Sequence, residues 1–462
     1  MKTNHCVIAG GGICGLFAAI LLADKFEHVY LVEKDSECGG LLKSVSDDCG
    51  NFYDQGTHIP NLLQVKEIDD ILFGKEADRH DNWNDLGRVR TANYFQGQWN
   101  PDSQTVDTRS LPEDIYQRGI TELLSLTRPS EAEDIVRYLC ETIGPTFTTE
   151  AIAPIARKLY GEKVDLSQLM SATSVSYFGL QRVIALSPEV SNKLKELPVF
   201  DDKLAYHNFV DYQRRIAGDG TTLQSHYYPS NGRGVGQWAE SLLEQAKDKG
   251  AEILTGESIK KINHQGKTIK SVVLNNQGVA LPCDYLFWTA PPVLALKAAG
   301  LEVTKRSLTF KTACIFHFTV NKPLLNTTSH FVWNWDSQYK GFRITLYPNL
   351  LPKTDDMKYK ITVEALCDSS GVDQINQQAM YQELVDIDLV AEDANILSQH
   401  KQVIHNTFPV PTFEFTEAVK SNYDDLSAAF DNVQIAGRFA GKSWFHRDVL
   451  SDVHFAIKTM FQ

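Results

Sequence analysis

The chain opens on a strand, a glycine-rich turn, a helix and a second strand, and this order limits its fold more than any other feature. Apolar residues 6–9 run directly into Gly10, Gly12 and Gly15, and a second apolar run over residues 28–33 ends in Glu33. In such a pattern the first glycine permits a tight turn, the second admits a pyrophosphate, and the third lets the helix approach the strand. A carboxylate at this interval accepts hydrogen bonds from a ribose diol. The opening segment therefore predicts a dinucleotide-binding unit.

A secretory signal peptide is the competing interpretation of the same segment, because Lys2 and the apolar run 6–22 supply a charged start and an apolar core. Four of the first ten residues of that run are glycine, and no small-residue cleavage site follows. A signal peptide would also leave Glu33 without a role. We therefore favour the nucleotide-binding interpretation.

Composition narrows the class of partner. The net charge of −13 disfavours nucleic acid and anionic membranes, since both bind positively charged surfaces. The eight cysteines form no CxxC pair, so we expect reduced thiols, a cytoplasmic protein and no metal site. The sequence contains no uninterrupted apolar run of about 18 residues, so no membrane span is predicted.

The middle of the chain has helical periodicity. Helices are predicted at residues 115–123, 135–143 and 150–160. Ser130 and Glu133 fit a capping box for the second of these helices, and Thr148 or Thr149 fits the N-cap of the third. Gly144 and the following proline should end the second helix. We expect this block to be an insertion beside the nucleotide domain.

The spacing of apolar residues changes in the second half of the chain. A helix at 238–249, a strand at 252–254, a hairpin at 259–274 and a strand at 284–289 are predicted to complete the nucleotide-binding sheet. Residues 312–320, 329–336, 342–349 and 358–367 alternate apolar and polar residues and predict an antiparallel sheet. Their aromatic residues, Phe316, Phe318, Phe331, Trp333 and Trp335, are expected in the core. A short strand at 433–436 and a helix at 451–460 should bring the end of the chain back to its beginning.

These elements predict an α/β fold in which a discontinuous Rossmann-like FAD-binding domain is joined to an α+β substrate domain with an antiparallel sheet and a helical insertion. The expected FAD-binding parts are 1–75, 224–292 and 425–462, the substrate-domain parts are 76–111 and 293–424, and the helical insertion is 112–205.

Five separated stretches resemble the flavin-dependent amine oxidase superfamily, in particular its protoporphyrinogen-oxidase-like and UDP-galactopyranose-mutase-like branch. They are the opening glycines with Glu33, Gly39 and Gly40; residues 53–58 (YDQGTH); residues 158–161 (KLYG) before Leu166; residues 228–229 with the glycines of 232–236; and residues 437–452. The first stretch is specific for a nucleotide and the last fairly specific for this branch, whereas the middle three are weak individually.

The resemblance implies FAD rather than NAD, because a second glycine pair and a returning Gly-Arg stretch are flavoprotein features. The residues it assigns to cofactor binding are Gly10, Gly12, Ile13, Cys14, Gly15, Glu33, Lys34, Gly39, Gly40, Leu41, Gly56, Thr57, His58, Ile259, Thr289, Gly437, Arg438, Asp448 and Val449. A single GxGxxG leaves no separate NAD(P)H domain visible.

The C-terminal stretch carries two cofactor hypotheses. Arg438 is expected at a phosphate or at the ribityl chain, because a guanidinium offers a planar set of charged donors; a surface ion pair is the alternative. Asp448 and Val449 are expected at a helix start near the flavin's pyrimidine edge, where main-chain N–H groups stabilise negative charge. For Asp448, N-capping is an equal alternative.

Candidates for catalysis carry simpler alternatives too. His58 can donate to the flavin or move a proton, or it can merely pack. Trp444 and His446, in the cluster 444–447, can wall the ring or meet an anionic substrate, although core packing with solvated charges is favoured. Arg343 can reach a carboxylate or phosphate, but a cross-strand ion pair is the commoner outcome. Cys14 suits packing of the glycine loop better than redox chemistry.

The leading functional hypothesis is an FAD-dependent oxidoreductase that takes a hydride from a small-molecule substrate, for which a sugar or nucleotide sugar is a candidate. A non-redox nucleotide-sugar mutase is the first alternative, weakened because residues 59–60 (IP) depart from that family's pattern after the histidine and because no diphosphate-binding arginine pair can be assigned. A flavin-holding protein without turnover is the second alternative. The substrate, the electron acceptor and the oligomeric state are not predicted.

Overall fold

The computed structural model describes residues 3–170, 180–218, 225–276, 278, 280–304, 306, 308–353 and 358–461. Its strands, numbered in chain order, are β1 Thr3–Ala9, β2 Phe26–Glu33, β3 Ser44–Ser46, β4 Phe52–Asp54, β5 Trp83–Gly87, β6 Thr91–Phe95, β7 Gln98–Asn100, β8 His226–Pro229, β9 Glu252–Thr255, β10 Ile259–Gln265, β11 Thr268–Leu274, β12 Ala280–Pro282, β13 Tyr285–Trp288, β14 Phe310–Val320, β15 Phe331–Asn334, β16 Gly341–Leu346, β17 Tyr359–Cys367, β18 Ile396–Pro409 and β19 Val433–Ile435. The α-helices are Ile13–Leu22, Lys66–Phe73, Arg79–Asn82, Glu113–Ser125, Ile135–Thr142, Pro145–Phe147, Ala153–Tyr160, Pro188–Leu194, Pro198–Asp201, Phe209–Gly218, Gly236–Asp248, Pro292–Ala298, Gln377–Asp386, Phe413–Ala429 and His446–Met460.

A five-stranded parallel sheet of order β19-β13-β1-β2-β9 forms the nucleotide-binding half. Its strands are apolar because both of its faces are covered, one of them by the helices Ile13–Leu22, Gly236–Asp248 and His446–Met460. The carboxyl ends of parallel strands meet at one edge. The predicted return of the chain's end to its beginning is thereby confirmed.

The hairpin predicted to join this sheet does not do so. Strands β10, β11 and β12 form a separate three-stranded antiparallel sheet. That sheet packs Ile262, Ile269 and Val272 against the parallel sheet, in one apolar cluster with Val32 and Leu286. The hairpin prediction was right, but its place in the nucleotide-binding sheet was wrong.

The second large sheet has seven strands in the order β18-β14-β17-β16-β15-β6-β7. The four segments expected in an antiparallel sheet are all present, but β15 pairs with β6 in parallel, so the sheet is mixed. Phe316, Phe318 and Trp335 are buried as expected. Phe331 is half-buried and lines a cavity together with Trp333, so these two aromatic residues are not purely core.

The helical block follows the predicted pattern with different caps. Asp134, not the predicted box of Ser130 and Glu133, caps the helix Ile135–Thr142 by accepting from the N–H of Arg137 at 2.8 Å. Ser130 instead donates to Glu141.

The third predicted helix also begins differently. A short helix at Pro145–Phe147 and a π-helical turn at Thr148–Ile152 run continuously into the helix Ala153–Tyr160. Thr148 and Thr149 therefore lie inside a helical run rather than at an N-cap. Gly161, with φ of 106°, ends that run.

Asp54 joins the two halves of the molecule. Its carboxylate accepts from the hydroxyl of Tyr228 at 2.6 Å and from the N–H of Val235 at 2.7 Å, and its own N–H donates to the hydroxyl of Tyr347 at 2.8 Å. Burial raises the pKa of Asp54 to about 6, although the hydrogen bonds from Tyr228 and Val235 oppose that shift. Tyr347 directly follows β16, so this junction ties the large sheet to the nucleotide-binding half.

Candidate functional site

The glycine loop lies at the carboxyl edge of the parallel sheet. Gly10 and Gly437 follow the ends of β1 and β19 with positive φ of 105° and 87°, values that favour glycine. A Cβ on Gly15 would overlap the carbonyl oxygen of Gly10, so the helix approaches the strand as closely as the pattern predicts. Thr289, just after β13, donates its hydroxyl to the carbonyl of Ala9 at 2.7 Å. The ends of these three strands thus form one edge around the loop.

Glu33 occupies the end of β2 and is buried. One carboxylate oxygen accepts from the N–H of Gly11 at 2.7 Å and the other from the N–H of Asp35 at 2.8 Å. A carboxylate has about four acceptor positions, so two remain for a ribose diol. These backbone bonds fix the orientation of Glu33 within the loop.

The second glycine pair lies over the first loop. The N–H of Gly39 donates to the carbonyl of Gly11 at 2.8 Å, and a Cβ on Gly40 would lie 3.2 Å from the Cα of Gly12. The two loops therefore form one surface, as their spacing predicts. Lys34, which follows Glu33, points away into solvent and pairs with Asp35 at 2.8 Å.

The loop fits a dinucleotide. A Cβ on Gly12 would meet no protein atom within 4 Å, so a side chain there would fill the space in front of the helix start. The helix Ile13–Leu22 begins at this point, and its first N–H groups favour a negatively charged phosphate. Open space, a helix start and a fixed carboxylate together match the pyrophosphate and ribose of FAD.

A cavity of about 1650 Å³ lies between the C-terminal stretch and the large sheet, and Leu41, directly after the second glycine pair, is part of its wall. It is larger than the roughly 300–1000 Å³ of ordinary ligand sites, as a site for both a cofactor ring and a substrate requires. Its lining includes residues that follow the second glycine pair, a residue of β16 and residues of the C-terminal stretch, among them Leu41, Thr57, His58, Arg343, Arg438 and Trp444.

Arg343 and Glu364 form the ion pair inside this cavity. They are register neighbours on β16 and β17, and the guanidinium donates twice to the carboxylate, each time at 2.7 Å. Glu364 also accepts from the backbone N–H of Thr57 at 2.9 Å. A Cβ on Gly56 would lie 2.7 Å from Glu364, so only glycine permits this approach at its φ of 95°. The predicted cross-strand ion pair of Arg343 is present.

A protein family and a curated relative each match part of this chain. A family model described as an NAD(P)-binding Rossmann-like domain matches residues 8–67. The 4,4'-diaponeurosporene oxygenase of Staphylococcus aureus (strain MRSA252) is 24% identical over 299 residues, which are 62% of this chain and 55% of the relative. The match thus spans about half the length of that relative.

Solved structures match the whole chain. A reduced UDP-galactopyranose mutase has a TM-score of 0.73 at 16% identity, covering 99% of this chain and 96% of its own. A protoporphyrinogen-oxidase-like protein from Exiguobacterium sp. 255-15 has a TM-score of 0.67 at 16% identity, covering 100% and 99%. Putrescine oxidase has a TM-score of 0.59 at 10% identity over the full length of both chains.

The chain shares its fold with these three solved structures. The predicted fold class is thereby confirmed. No helix in the described part of the chain is long and apolar enough to cross a membrane.

Within this fold, the C-terminal stretch lies beside the cavity. The guanidinium of Arg438 stacks on the ring of Trp444 at 4.8 Å. The final helix begins at His446, five residues earlier than predicted, and Phe445 is its N-cap residue. Asp448 therefore lies in the first turn and is not the N-cap. The N–H of Val449 donates to the carbonyl of Phe445 at 3.0 Å, so it is already used within the helix.

His58 and His446 are held neutral. Burial, followed by the charges of Arg438 and Arg343, lowers the pKa of His58 to about 3. Burial, followed by the influence of His58 and Arg438, lowers the pKa of His446 to about 3. The Nε2 of His446 is buried with no hydrogen-bond partner among the described residues, so it is a polar atom in the cavity wall that a ligand can satisfy. The lowered pKa of His58 favours the packing alternative over proton transfer near neutral pH.

Other predicted residues take supporting positions. Ile13 and Cys14 begin the helix Ile13–Leu22 and pack against the apolar core. Burial raises the pKa of the Cys14 thiol to about 12, which suits packing rather than redox chemistry. Ile259 packs beside Ala9 and Val32 under the carboxyl edge.

Sequence reasoning missed Glu364 and the turn after β5, which contributes Arg88 and Arg90 to the cavity. Glu364 alternates with Lys360 and Thr362 along β17, so the sequence pattern alone did not distinguish it. The turn carries no motif, and only the pairing of β6 with β15 brings it to the cavity.

Proposed function

We propose that the protein is an FAD-dependent oxidoreductase of the amine-oxidase and protoporphyrinogen-oxidase-like type, acting on a small molecule bound in the 1650 Å³ cavity. The observation that supports this most directly is the continuity of that cavity with residues 57–58 and with the Arg438–Trp444 stretch beside the glycine loop. Bound FAD supplies a two-electron acceptor for a hydride from the substrate.

The chain's own residues orient these groups. We propose that Gly12 and the helix start hold the pyrophosphate, Glu33 the adenosine ribose, and Gly56, Thr57, Arg438, Asp448 and Trp444 the ring end. Arg438 places fixed positive charge in the cavity, which stabilises negative charge developing there, whereas the charge of Arg343 is paired with Glu364. Burial lowers the pKa values of both His58 and His446, so both rings are weak bases, and we propose that the substrate proton leaves to water.

Replacement of Gly12 by valine tests whether the glycine loop binds FAD. The γ-methyl groups would fill the open space in front of the helix start, so Gly12→Val should purify with less than about a tenth of the wild-type flavin. Flavin content is read from the visible spectrum and from FAD released by heat. Gly371→Val is the matched control, because a Cβ there makes only an ordinary 3.6 Å contact and its φ is not positive. Undiminished flavin in Gly12→Val would contradict the assignment.

Anaerobic mixing of the holoprotein with a panel of primary amines, alcohols and saturated carbonyl compounds tests the redox use of FAD. Bleaching of the visible band by one class supports the proposal. Sugar isomerisation that appears only after chemical reduction would instead support a mutase, and a protein that cannot be reconstituted with FAD would contradict both.

A further inference from the structure

The cavity is positively charged although the chain is acidic. Among the residues that the structure describes, six arginines and three carboxylates line it, Arg88, Arg90, Arg182, Arg343, Arg438 and Arg447 against Asp102, Glu364 and Asp448. The whole chain has a net charge of −13, so this excess is local and opposes the overall field. A concave surface with one sign of charge concentrates ligands of the other sign.

Three of these arginines, Arg88, Arg90 and Arg182, come from outside the C-terminal stretch and are here called the wall. Within the described ranges, none of the three forms an ion pair with a carboxylate, in contrast to Arg343. The side chain of Arg182 donates to the backbone carbonyl of Asp202 at 3.3 Å, and Arg90 lies 3.2 Å from the ring of His330. Neutral partners hold these guanidinium groups in place without cancelling their charge.

The wall is built from separate parts of the chain. Arg88 and Arg90 come from the turn between β5 and β6, whereas Arg182 precedes Val183, which bridges to Leu204. Burial, followed by the charges of Arg90, His226 and Arg88, lowers the pKa of His330 to about 4, so this buried ring stays neutral beside the arginines. The positive charges of Arg88 and Arg90 therefore act on one shared region.

Aromatic rings alternate with these arginines. The guanidinium of Arg88 lies 4.3 Å from the ring centre of Phe209, and that of Arg182 lies 5.9 Å from Tyr206. Tyr212 links the two rings, 6.5 Å from Phe209 and 5.5 Å from Tyr206. All five residues line the cavity. Stacking holds the guanidinium planes while leaving their N–H edges available, an arrangement suited to a planar ring that bears an anionic group.

We infer that Arg88, Arg90 and Arg182, with the rings of Tyr206, Phe209 and Tyr212, bind the anionic end of an aromatic substrate, a carboxylate or a phosphate monoester. The inference rests on the proposed function, because it names the substrate class of that same cavity. A guanidinium donates in a planar pair to either oxyanion. The substrate is thus held at its charged end while its remaining part extends into the cavity.

Equilibrium dialysis of the holoprotein tests this with four probes of similar ring size: phenyl phosphate, benzoate, benzyl alcohol and benzylamine. The tighter of the two anions should bind at least about tenfold more tightly than benzylamine, and its affinity should fall with added salt. Comparing phenyl phosphate with benzoate identifies the anionic group. Equal or tighter binding of benzylamine, or no binding of either anion, would overturn the inference.

The combined variant Arg88→Gln, Arg90→Gln, Arg182→Gln supplies the second measurement. It should raise the Kd of the preferred anion about tenfold or more and leave that of benzyl alcohol within about twofold. Arg118→Gln is the matched control, because Arg118 is exposed on the helix Glu113–Ser125 and does not line the cavity. An unchanged anion Kd in the triple variant would refute the role of the wall.

Two readouts separate this inference from the proposed function. Flavin content is measured on the same samples, and circular dichroism checks that the triple variant folds. Retained FAD with no preference for anions would overturn only the wall. Absence of FAD would overturn the proposed function, and dialysis would still report the preferred charge of the ligand.

Discussion

The ion pair between Arg343 and Glu364 allows a quantitative test of what holds the cavity together. Glu364 accepts two hydrogen bonds from Arg343 and one from the N–H of Thr57, and its side chain is only 3% exposed, against 18% for Arg343. Truncating one partner of a buried pair costs about 3 to 5 kcal/mol, because the other charge is left unpaired. Since the cavity gives Arg343 some solvent, we expect Glu364→Ala to lower the free energy of unfolding by about 3 kcal/mol.

Two further variants separate charge from volume. Glu364→Gln keeps the shape and one acceptor, so its loss should be smaller, about 2 kcal/mol. Replacing both partners, Arg343→Met with Glu364→Leu, removes the unpaired charge and should recover most of the loss seen in Glu364→Ala. The recovery would show that the loss comes from a stranded guanidinium rather than from a missing side chain.

The assay is urea unfolding at pH 7, followed by circular dichroism and tryptophan fluorescence, with FAD content measured in parallel. Because Glu364 also anchors Thr57, Glu364→Ala should weaken flavin retention as well. A loss below about 1 kcal/mol in Glu364→Ala, or a double variant no more stable than that single variant, would refute the reasoning.

Three further predictions concern the glycine loop and the C-terminal stretch. Gly15→Ala places a Cβ on the carbonyl oxygen of Gly10 and should cost about 1 to 3 kcal/mol in urea unfolding and reduce FAD content; wild-type values for both would contradict the close approach. Arg438→Ala should lower FAD retention after gel filtration, whereas Arg447→Ala, on the exposed side of the same stretch, should lower it less; equal retention in both would remove Arg438 from the site. For His446, burial keeps the folded pKa at about 3, below its ordinary value of 6.5, so the stability it contributes is complete above pH 6.5 and is lost as the pH falls towards 3. His446→Gln should flatten the fall of unfolding free energy between pH 6.5 and 4 by about 1 kcal/mol per pH unit, and parallel curves for the two proteins would contradict this.

The glycine loop could be predicted from the sequence because each of its residues is required by contacts within the opening segment of the chain. Gly10, Gly15 and Gly40 are required by turns and close approaches within one short segment, and Glu33 lies at a fixed distance along the chain. The helix and strand periods on either side are equally local. Such features depend on neighbours in sequence, and they appear in the structure as expected.

The substrate side depends on pairings between distant strands. Glu364 meets Arg343 and Thr57 only through the register of β16 with β17 and the approach of Gly56. Arg90 reaches the cavity because β6 pairs with β15, more than 200 residues away. Neither pairing has a signal in the local sequence, so the cavity wall could not be assembled from the sequence.

Asp54 has a consequence for the route of the ligand. One buried carboxylate and its backbone connect the strand β4 to Tyr228, to the start of the helix Gly236–Asp248 and to Tyr347 beside the large sheet. Separating the two sheets at this point would break the three hydrogen bonds of Asp54 and leave buried polar groups unpaired. We therefore expect a ligand to enter through the mouth of the cavity, past the side chains that surround it, while the scaffold stays closed.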